Sequence, residues 1–500
     1  MTTFAAIDVG SSGLSMKIFE LSKQTGIREI THIRHKILLG SETYHNGMIS
    51  HKSIMELCTV LKDFSRIMAE YDSSAYSAYA TSALREAKNN PLILDQIRFQ
   101  TGLNVKILSN SEQRLLRYKA IALKEPEFDT LVDQGALIVD SGAGSVQFSL
   151  FEKGTLAFTK NLRLGFARLH EKLHELEPEA YNYADLIAEY IEKDLSTLFH
   201  VYLEDKDIKH IIAAGDLIQD LRNLFFNKKS ENSGFLTAKE FRKVKLPPEM
   251  AALLLPLTVL YDRIFTLTKS MDLYLSEIDF CDSMVAEYAE KRARLPASKR
   301  GNATHDFPGD MISAAFYLAK RYQVSFYHIE NVKYLAMEIF DRIRKPYGMG
   351  TRERLLLQIG TILHSCGAFI DINETRENSY RIIMATELIG LSKNEQIMVA
   401  NMVRYNSKHF PEYELLAADL DKEQYITTLK LCAILKIANI LDKSHQQKIC
   451  SVRVTLKEDE LLIVASSTKD ITLEMGLFQS KADIFEETFG IRPRLKLKRG

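Results

Sequence analysis

The sequence has no surplus of either charge. Its 65 Lys and Arg stand against 65 Asp and Glu, which removes the global electrostatic case for a nucleic-acid binder and leaves a polyanion only a local basic patch to meet. Cysteine is scarce. The five, Cys58, Cys281, Cys366, Cys432 and Cys450, are odd in number, widely spread and without a C-x-x-C pair. They exclude a disulfide framework and a zinc site, and read as buried thiols of a reducing compartment. No apolar run reaches the ~18 to 20 residues of a membrane span. The opening MTTFAAIDVG enters strand-like sequence without the basic and apolar regions of a signal peptide. The expectation is a cytoplasmic chain with no nucleic-acid and no membrane partner, and 500 residues call for two to four domains.

From Phe4 to Leu39 apolar and polar residues alternate in three runs broken by GSSG and QTG, which predicts three antiparallel strands. Ile54, Leu57, Val60, Leu61, Phe64, Ile67 and Met68 then recur at helical spacing, with Ser53 and Glu56 placed as a capping box. AYSAYA, a helix with Pro91 near its start and VKILS complete the order β-β-β-α-β-α-β. A similar order restarts at Gly135, with ALIVD, VQFSLFE, TLAFTKNLRLG, a long helical stretch and HIIAAG. Lys291 to Gly309 is rich in Lys, Arg, Pro, Gly and Ser and lacks periodicity, so it reads as a linker. Helices follow to about Lys443, and VRVTLKEDELLIVASS to RPRLKLKR reads as a small α+β cap. The expected divisions are 1–125, 126–300, 301–445 and 446–500.

Two strands end in a carboxylate and a turn of small residues: Asp8-Val9-Gly10-Ser11-Ser12-Gly13 and Asp140-Ser141-Gly142-Ala143-Gly144-Ser145. Such turns serve as plain hairpins. They also serve as phosphate loops, because glycine lets bare amides approach a phosphate, and each Asp can hold Mg2+ through water. Glu112, in LSNSEQRL, falls near a helix N-terminus, either as a capping acid or as a general base that activates water.

FAAIDVGSSG, ATSALREAKN, ILSNSEQRLL and IVDSGAGS, in that order, resemble the motifs of the exopolyphosphatase and guanosine pentaphosphate phosphohydrolase (Ppx/GppA) family. ILHSCGAFIDINETRENSYRII and MVRYNSKH resemble its helical third domain. The resemblance implies an α/β chain of two actin-like, sugar-kinase-like (ribonuclease H-like) ATPase-fold domains, then an all-α HD-related domain and a small α+β C-terminal domain. It implies Glu112 as the residue that orients or deprotonates the attacking water, Asp140 as a catalytic carboxylate at Mg2+, and Arg85 as a substrate-facing arginine. Gly10, Ser11, Ser12, Ser141, Gly142, Ala143, Gly144 and Ser145 would hold phosphate, and Asp8, Asp140 and Gln147 the metal.

Three features depart from the family's pattern. Gln147 stands where a glutamate is usual two residues after the loop serine. Asp216 follows AAG where a turn like GASGT is usual and would repel a phosphate unless a cation intervenes. In the helical part His328 and His364 are present, but Ser365 follows His364, and Asn378 and Asn406 stand at later polar positions, so no metal is expected there. The implied activity is release of terminal orthophosphate from inorganic polyphosphate. Hydrolysis of guanosine pentaphosphate, or a weakly active or inactive sensor of polyphosphate or of guanosine penta- or tetraphosphate, stands as the alternative. A homodimer is the expected assembly. Lys291, Arg292, Arg294, Lys299, Arg300 and the alternating Arg492, Arg494, Lys496 and Lys498 are candidates to line a channel for the polymer, or are solvated charges.

Overall fold

The structure, a computed structural model, describes residues 2–22, 26–73, 75–125, 127–226, 234–291 and 305–499. Most of the expected linker, with Arg292, Arg294, Lys299 and Arg300, lies outside them. The chain forms two compact units, Met1–Phe307 and Pro308–Gly500.

The first unit holds two sheets. Strands β1 (Thr2–Val9), β2 (Leu14–Ser22), β3 (Gly26–His35), β4 (Ala75–Ala80) and β5 (Lys106–Ile107) run in the order β3-β2-β1-β4-β5. Strands β6 (Ala136–Ser141), β7 (Val146–Glu152), β8 (Thr155–Leu162), β9 (His210–Gly215), β10 (Phe235–Leu236) and β11 (Asp272–Leu275) run in the order β10-β11-β9-β6-β7-β8. In each, an antiparallel meander of three strands is extended on its first strand by two parallel ones, β4 then β5 and β9 then β11. The strand order is thus duplicated although no identity repeat is visible.

β1 shows why its residues make a central strand. Its alternate side chains enter two different cores, Ala5, Ile7 and Val9 one and Phe4 and Ala6 the other, as strand period and two covered faces require. The first core is closed by helix His51–Glu70 through Ile54, Leu57, Leu61, Phe64 and Met68. The second is closed by Leu116 and by helix Phe280–Lys291, through Phe280, Cys281, Met284 and Val285. That last helix therefore returns from the second sheet to cover the first, and brings Asp279 with it.

Some elements differ from the sequence reading. Helix His51–Glu70 starts earlier than the expected Ser53 cap, and Ser50 accepts from the Ser53 amide. Two short helices, Leu39–Asn46 and Ser82–Glu86, were not expected. Helices this short draw their stability from tertiary contacts, so their sequence carries little periodic signal. Cys450 is exposed, whereas the other four cysteines are buried. Met250–Thr268 and Lys422–Leu441 are long and apolar enough to cross a membrane. Charges such as Asp262 and Lys430 interrupt them as apolar runs, and they supply core residues including Leu254, Ile264, Ile434 and Ile437.

The second unit is helical from Phe307–Arg321 to Lys422–Leu441. It ends in β12 (Ser451–Leu456), β13 (Glu460–Ser467) and β14 (Arg492–Arg499), ordered β12-β13-β14. β13 and β14 are parallel and joined through helix Thr472–Phe489.

Candidate active site between two glycine turns

Both Asp-Gly-Ser turns are hairpins, and the two face each other. Gly10 N donates to Gly13 O at 3.0 Å and Gly142 N to Ser145 O at 2.9 Å. Ser11 Oγ lies 2.8 Å from Tyr44 Oη and 2.8 Å from Ser82 Oγ. A Cβ on Gly144 would collide with that Tyr44 hydroxyl and press on Ser82 Oγ at 3.0 Å, so only glycine lets the second turn come this close. The contact is held from the other side by Arg168, which donates to Gly144 O at 2.8 Å, pairs with Glu86 and stacks over Tyr44. Ser12 and Gly10 line an adjoining cavity of about 550 Å3. The Ser141 hydroxyl turns inward to Tyr261 Oη at 2.7 Å, which leaves only its backbone to the turn. Ser145 is buried, and the Ala143 amide donates to the Asp216 carboxylate.

Asp216 thus sits on the second turn. Gly215 fixes that approach: its φ is +119° and a Cβ on it would collide with the Ser141 backbone, so β9 ends tight against β6. Arg117, buried on helix Asn110–Lys124, lies between Asp140 (Nε to Oδ1, 3.4 Å) and Asp216 (3.7 Å). Burial works against its charge, but Asp140, Asp216 and Asp8 outweigh it and hold the guanidinium firmly protonated. Burial, then Asp216, pushes the Asp8 carboxyl well above the usual range, and Asp216 is raised by burial despite Arg117.

Asp8 Oδ1 and Asp140 Oδ2 are buried with no hydrogen-bond partner. Two unsatisfied carboxylate oxygens in an acidic pocket are a costly arrangement unless a cation joins them. Among the described residues no group of three or more His, Cys, Asp or Glu is arranged to hold a metal. Asp8 and Asp140 together suit a divalent ion that keeps most of its water and takes one or two carboxylates.

Glu112 caps its own helix. Its Oε2 accepts from Ser109 N at 3.0 Å in a capping box, and its Oε1 accepts from Lys106 Nζ at 2.7 Å. Arg85 reaches the same corner and donates to Leu108 O at 2.7 Å. Gln147, opposite Asp140 in the ladder, is buried, and its Oε1 accepts from Arg114 Nε at 3.1 Å, while Val146 turns to the core. Arg114, Arg117, Asp279, Tyr44 and Arg168 were not singled out from sequence. A signal existed for two of them, because Arg114 and Arg117 fall on the buried stripe of their helix with Ser111, Tyr118 and Ile121.

The model of the Ppx/GppA phosphatase family matches residues 18–245, and that of Ppx/GppA phosphatase domain III matches residues 313–481. The chain belongs to the Ppx/GppA phosphatase family. A guanosine-5'-triphosphate,3'-diphosphate pyrophosphatase of Aliivibrio fischeri is 21% identical over 463 residues, 91% of this chain and 89% of that protein. A bifunctional 3-dehydroquinate synthase/phosphatase of Fusobacterium nucleatum is 24% identical over 187 residues, and the match spans 36% of this chain and only 28% of that protein. The crystal structure of an exopolyphosphatase from Cytophaga hutchinsonii aligns with a TM-score of 0.50 at 15% identity, covering 60% of this chain and all of that one. The paired mixed sheets and the helical C-terminal region agree with the family.

Within the Ppx/GppA domain III match, His328 and His364 meet. Their Nε2 atoms are 3.2 Å apart, His328 Nδ1 lies 2.7 Å from Asp442 Oδ2, and His445 stacks on His328 at 3.5 Å. Burial, then the His328 ring, pushes His364 down to about 3, so it is neutral. Burial opposes ionisation of Asp442, but hydrogen bonds from His328 and Gln447 outweigh it and hold the carboxyl below its usual range. Asp442 is the carboxylate partner that the neighbours of the histidines in sequence did not supply. Asp442→Ala leaves a buried nitrogen of His328 without its hydrogen-bond partner and is expected to cost about 1 to 3 kcal/mol, read as a lower urea midpoint. An unchanged midpoint would show the pair to be energetically neutral. In the tail, Arg492 pairs with Glu486 and Asp483, and Arg494 with Glu460.

Proposed function

We propose that the chain releases terminal orthophosphate from inorganic polyphosphate, with Mg2+ as the divalent ion. One observation carries this reading. The unpartnered Asp8 and Asp140 oxygens stand at two facing glycine turns, beside a cavity of about 550 Å3 whose wall also carries His32, Arg34, His35 and Lys36. A cavity of that size exceeds one phosphate, and because its wall sets Lys17, Arg34, Lys36 and Arg117 against Asp8, Asp216, Asp220, Glu277 and Asp279, an anionic chain would enter it together with cations.

Asp8 and Asp140 would hold the Mg2+, which when bound offsets charge on the phosphate oxygens. The Gly144 amide and the Ser12 hydroxyl would orient the terminal phosphoryl group, the Gly10 and Gly142 amides being engaged within their own turns, and the guanidinium fork of Arg85 would take two of its oxygens. Glu112 would draw the proton from a water aligned with the bond to the next phosphate. The water oxygen then bonds to the terminal phosphorus as that bridging bond breaks, and the electron pair leaves with the shortened chain. The rate would come from positioning and charge stabilisation.

Hydrolysis of guanosine pentaphosphate is the second reading, favoured by the Aliivibrio fischeri likeness along 91% of this chain. Phosphate release from long polyphosphate, guanosine pentaphosphate and ATP, each with Mg2+ and with chelator, separates the two. Preference for the polymer supports the first, and preference for the nucleotide supports the second. No Mg2+-dependent release from either would reject both.

The domain layout we propose is 1–125, 126–300, 301–445 and 446–500, with the third HD-related. His328, His364 and Asp442 supply part of an HD set, and Ser365 stands where its second carboxylate would be. At the active site, Gln147→Glu adds one charge beside Asp140 and should lower the Mg2+ needed for half-maximal rate about tenfold. An unchanged Mg2+ dependence would remove position 147 from the metal site.

A further inference from the structure

We propose that Arg168 is a positioning residue for the phosphoryl group: it ties the second glycine turn to the first through Tyr44 and Glu86, so that both turns stand at working separation before substrate arrives. The inference rests on the reading that a phosphoryl group binds at these turns, and deepens it.

One guanidinium joins parts of both sheets' surroundings. Its Nε donates to Gly144 O at 2.8 Å, a terminal nitrogen donates to the two Glu86 oxygens at 2.8 and 2.7 Å, and its carbon lies 4.2 Å from the centre of the Tyr44 ring. Gly144 belongs to the turn between β6 and β7, whereas Tyr44 and Glu86 sit on helices Leu39–Asn46 and Ser82–Glu86, which follow β3 and β4 of the first sheet. The tyrosine carries the link to the first turn. Its hydroxyl lies 2.8 Å from Ser11 Oγ and 2.9 Å from Ser82 Oγ, and the two serine hydroxyls meet at 2.8 Å.

Backbone geometry says what this does to the second turn. The Ala143 carbonyl accepts from the Ala167 and Arg168 amides, each at 3.1 Å. In a planar trans peptide a carbonyl and the amide that follows point opposite ways, so the Gly144 amide is turned away from helix Phe166–Leu173. The Gly144 carbonyl is then taken by the Arg168 side chain, which fixes the peptide on its other side as well. The Glu86 pair acts on the first half of the chain. Helix Ser82–Glu86, at five residues, owes its place to tertiary contacts, and it carries Arg85 next to Glu86. Lysine does not suit position 168, because a single nitrogen cannot stand at both Gly144 O and Glu86 while a flat cation covers Tyr44.

The test reads ligand binding apart from turnover. The full-length chain is titrated calorimetrically, in Mg2+, with imidodiphosphate, a pyrophosphate analogue whose nitrogen bridge resists hydrolysis. Wild type is compared with Arg168→Lys, Arg168→Gln, Glu86→Gln and the double variant Arg168→Gln with Glu86→Gln, with folding checked by circular dichroism. Kd is expected to rise about tenfold in each single variant and little further in the double, because both changes break one link. A merely structural role would lower the folded fraction and leave Kd unchanged. Kd within about twofold of wild type in the folded single variants, or losses that add in the double, would overturn the proposal. Glu86→Gln is nearly isosteric, so it decides the matter if the Arg168 variants do not fold. Phosphate release from polyphosphate is measured separately: a wild type that binds the analogue without hydrolysing the polymer would reject the hydrolase while the Kd comparison still judges Arg168, and a wild type that does not bind the analogue would reject both.

Discussion

Glu112→Gln is expected to lower kcat about 100- to 1000-fold while KM stays within about twofold. The carboxylate holds two structural bonds, to Ser109 N and to Lys106 Nζ. Glutamine keeps an oxygen for the Ser109 amide, so the helix cap and the fold survive the change. What it loses is the ability to take a proton from water. Steady-state phosphate release checks this, with binding measured separately on the unreacted substrate. Equal turnover in the variant would leave Glu112 a capping acid and remove the general base from the mechanism.

Asp140→Asn is expected to weaken divalent-ion binding and to cut turnover about 1000-fold, because charge stabilisation by a metal at a phosphoryl group is worth several kcal/mol. The side chain is buried, one oxygen has no partner, and the other lies 3.4 Å from Arg117. Asparagine fits the same space, so loss of activity would not reflect lost packing. Calorimetric titration with Mg2+ and the Mg2+ dependence of the rate both report on it. Unchanged ion affinity would place the metal elsewhere.

The larger elements were legible because their patterns are strong. Alternation in FAAID and LSMKIFELS gave the first meander, and ALIVD with VQFSLFE the second, since strands covered on one or both faces must repeat every two residues. The facing of the two turns was legible only as a pair, from the recurrence of Asp, Gly and Ser at two strand ends. Helices Leu39–Asn46 and Ser82–Glu86 were not legible, although they carry Tyr44, Ser82 and Arg85.

Asp216 was read as an obstacle to phosphate, which its charge makes it. Its structural setting adds what sequence could not hold: an amide from Ala143 and a guanidinium from a helix about a hundred residues earlier. Asp442 was missed for the same reason, as its partner His328 lies 114 residues away. The two buried arginines were within reach. A charged residue on the apolar stripe of a helix is rarely buried unless it is paired, and Arg114 and Arg117 occupy that stripe together.

The central claim is attack of water on the terminal phosphorus of the chain in the cleft between the two turns. Hydrolysis of long polyphosphate in water enriched in heavy oxygen, with the products analysed by mass spectrometry, tests it most directly. One heavy oxygen is expected in each released orthophosphate and none in the shortened chain after a single turnover, with labelled orthophosphate forming about 1000-fold more slowly from Asp140→Asn. Label in the shortened chain, or tight binding of polyphosphate with no labelled orthophosphate from wild type, would contradict it.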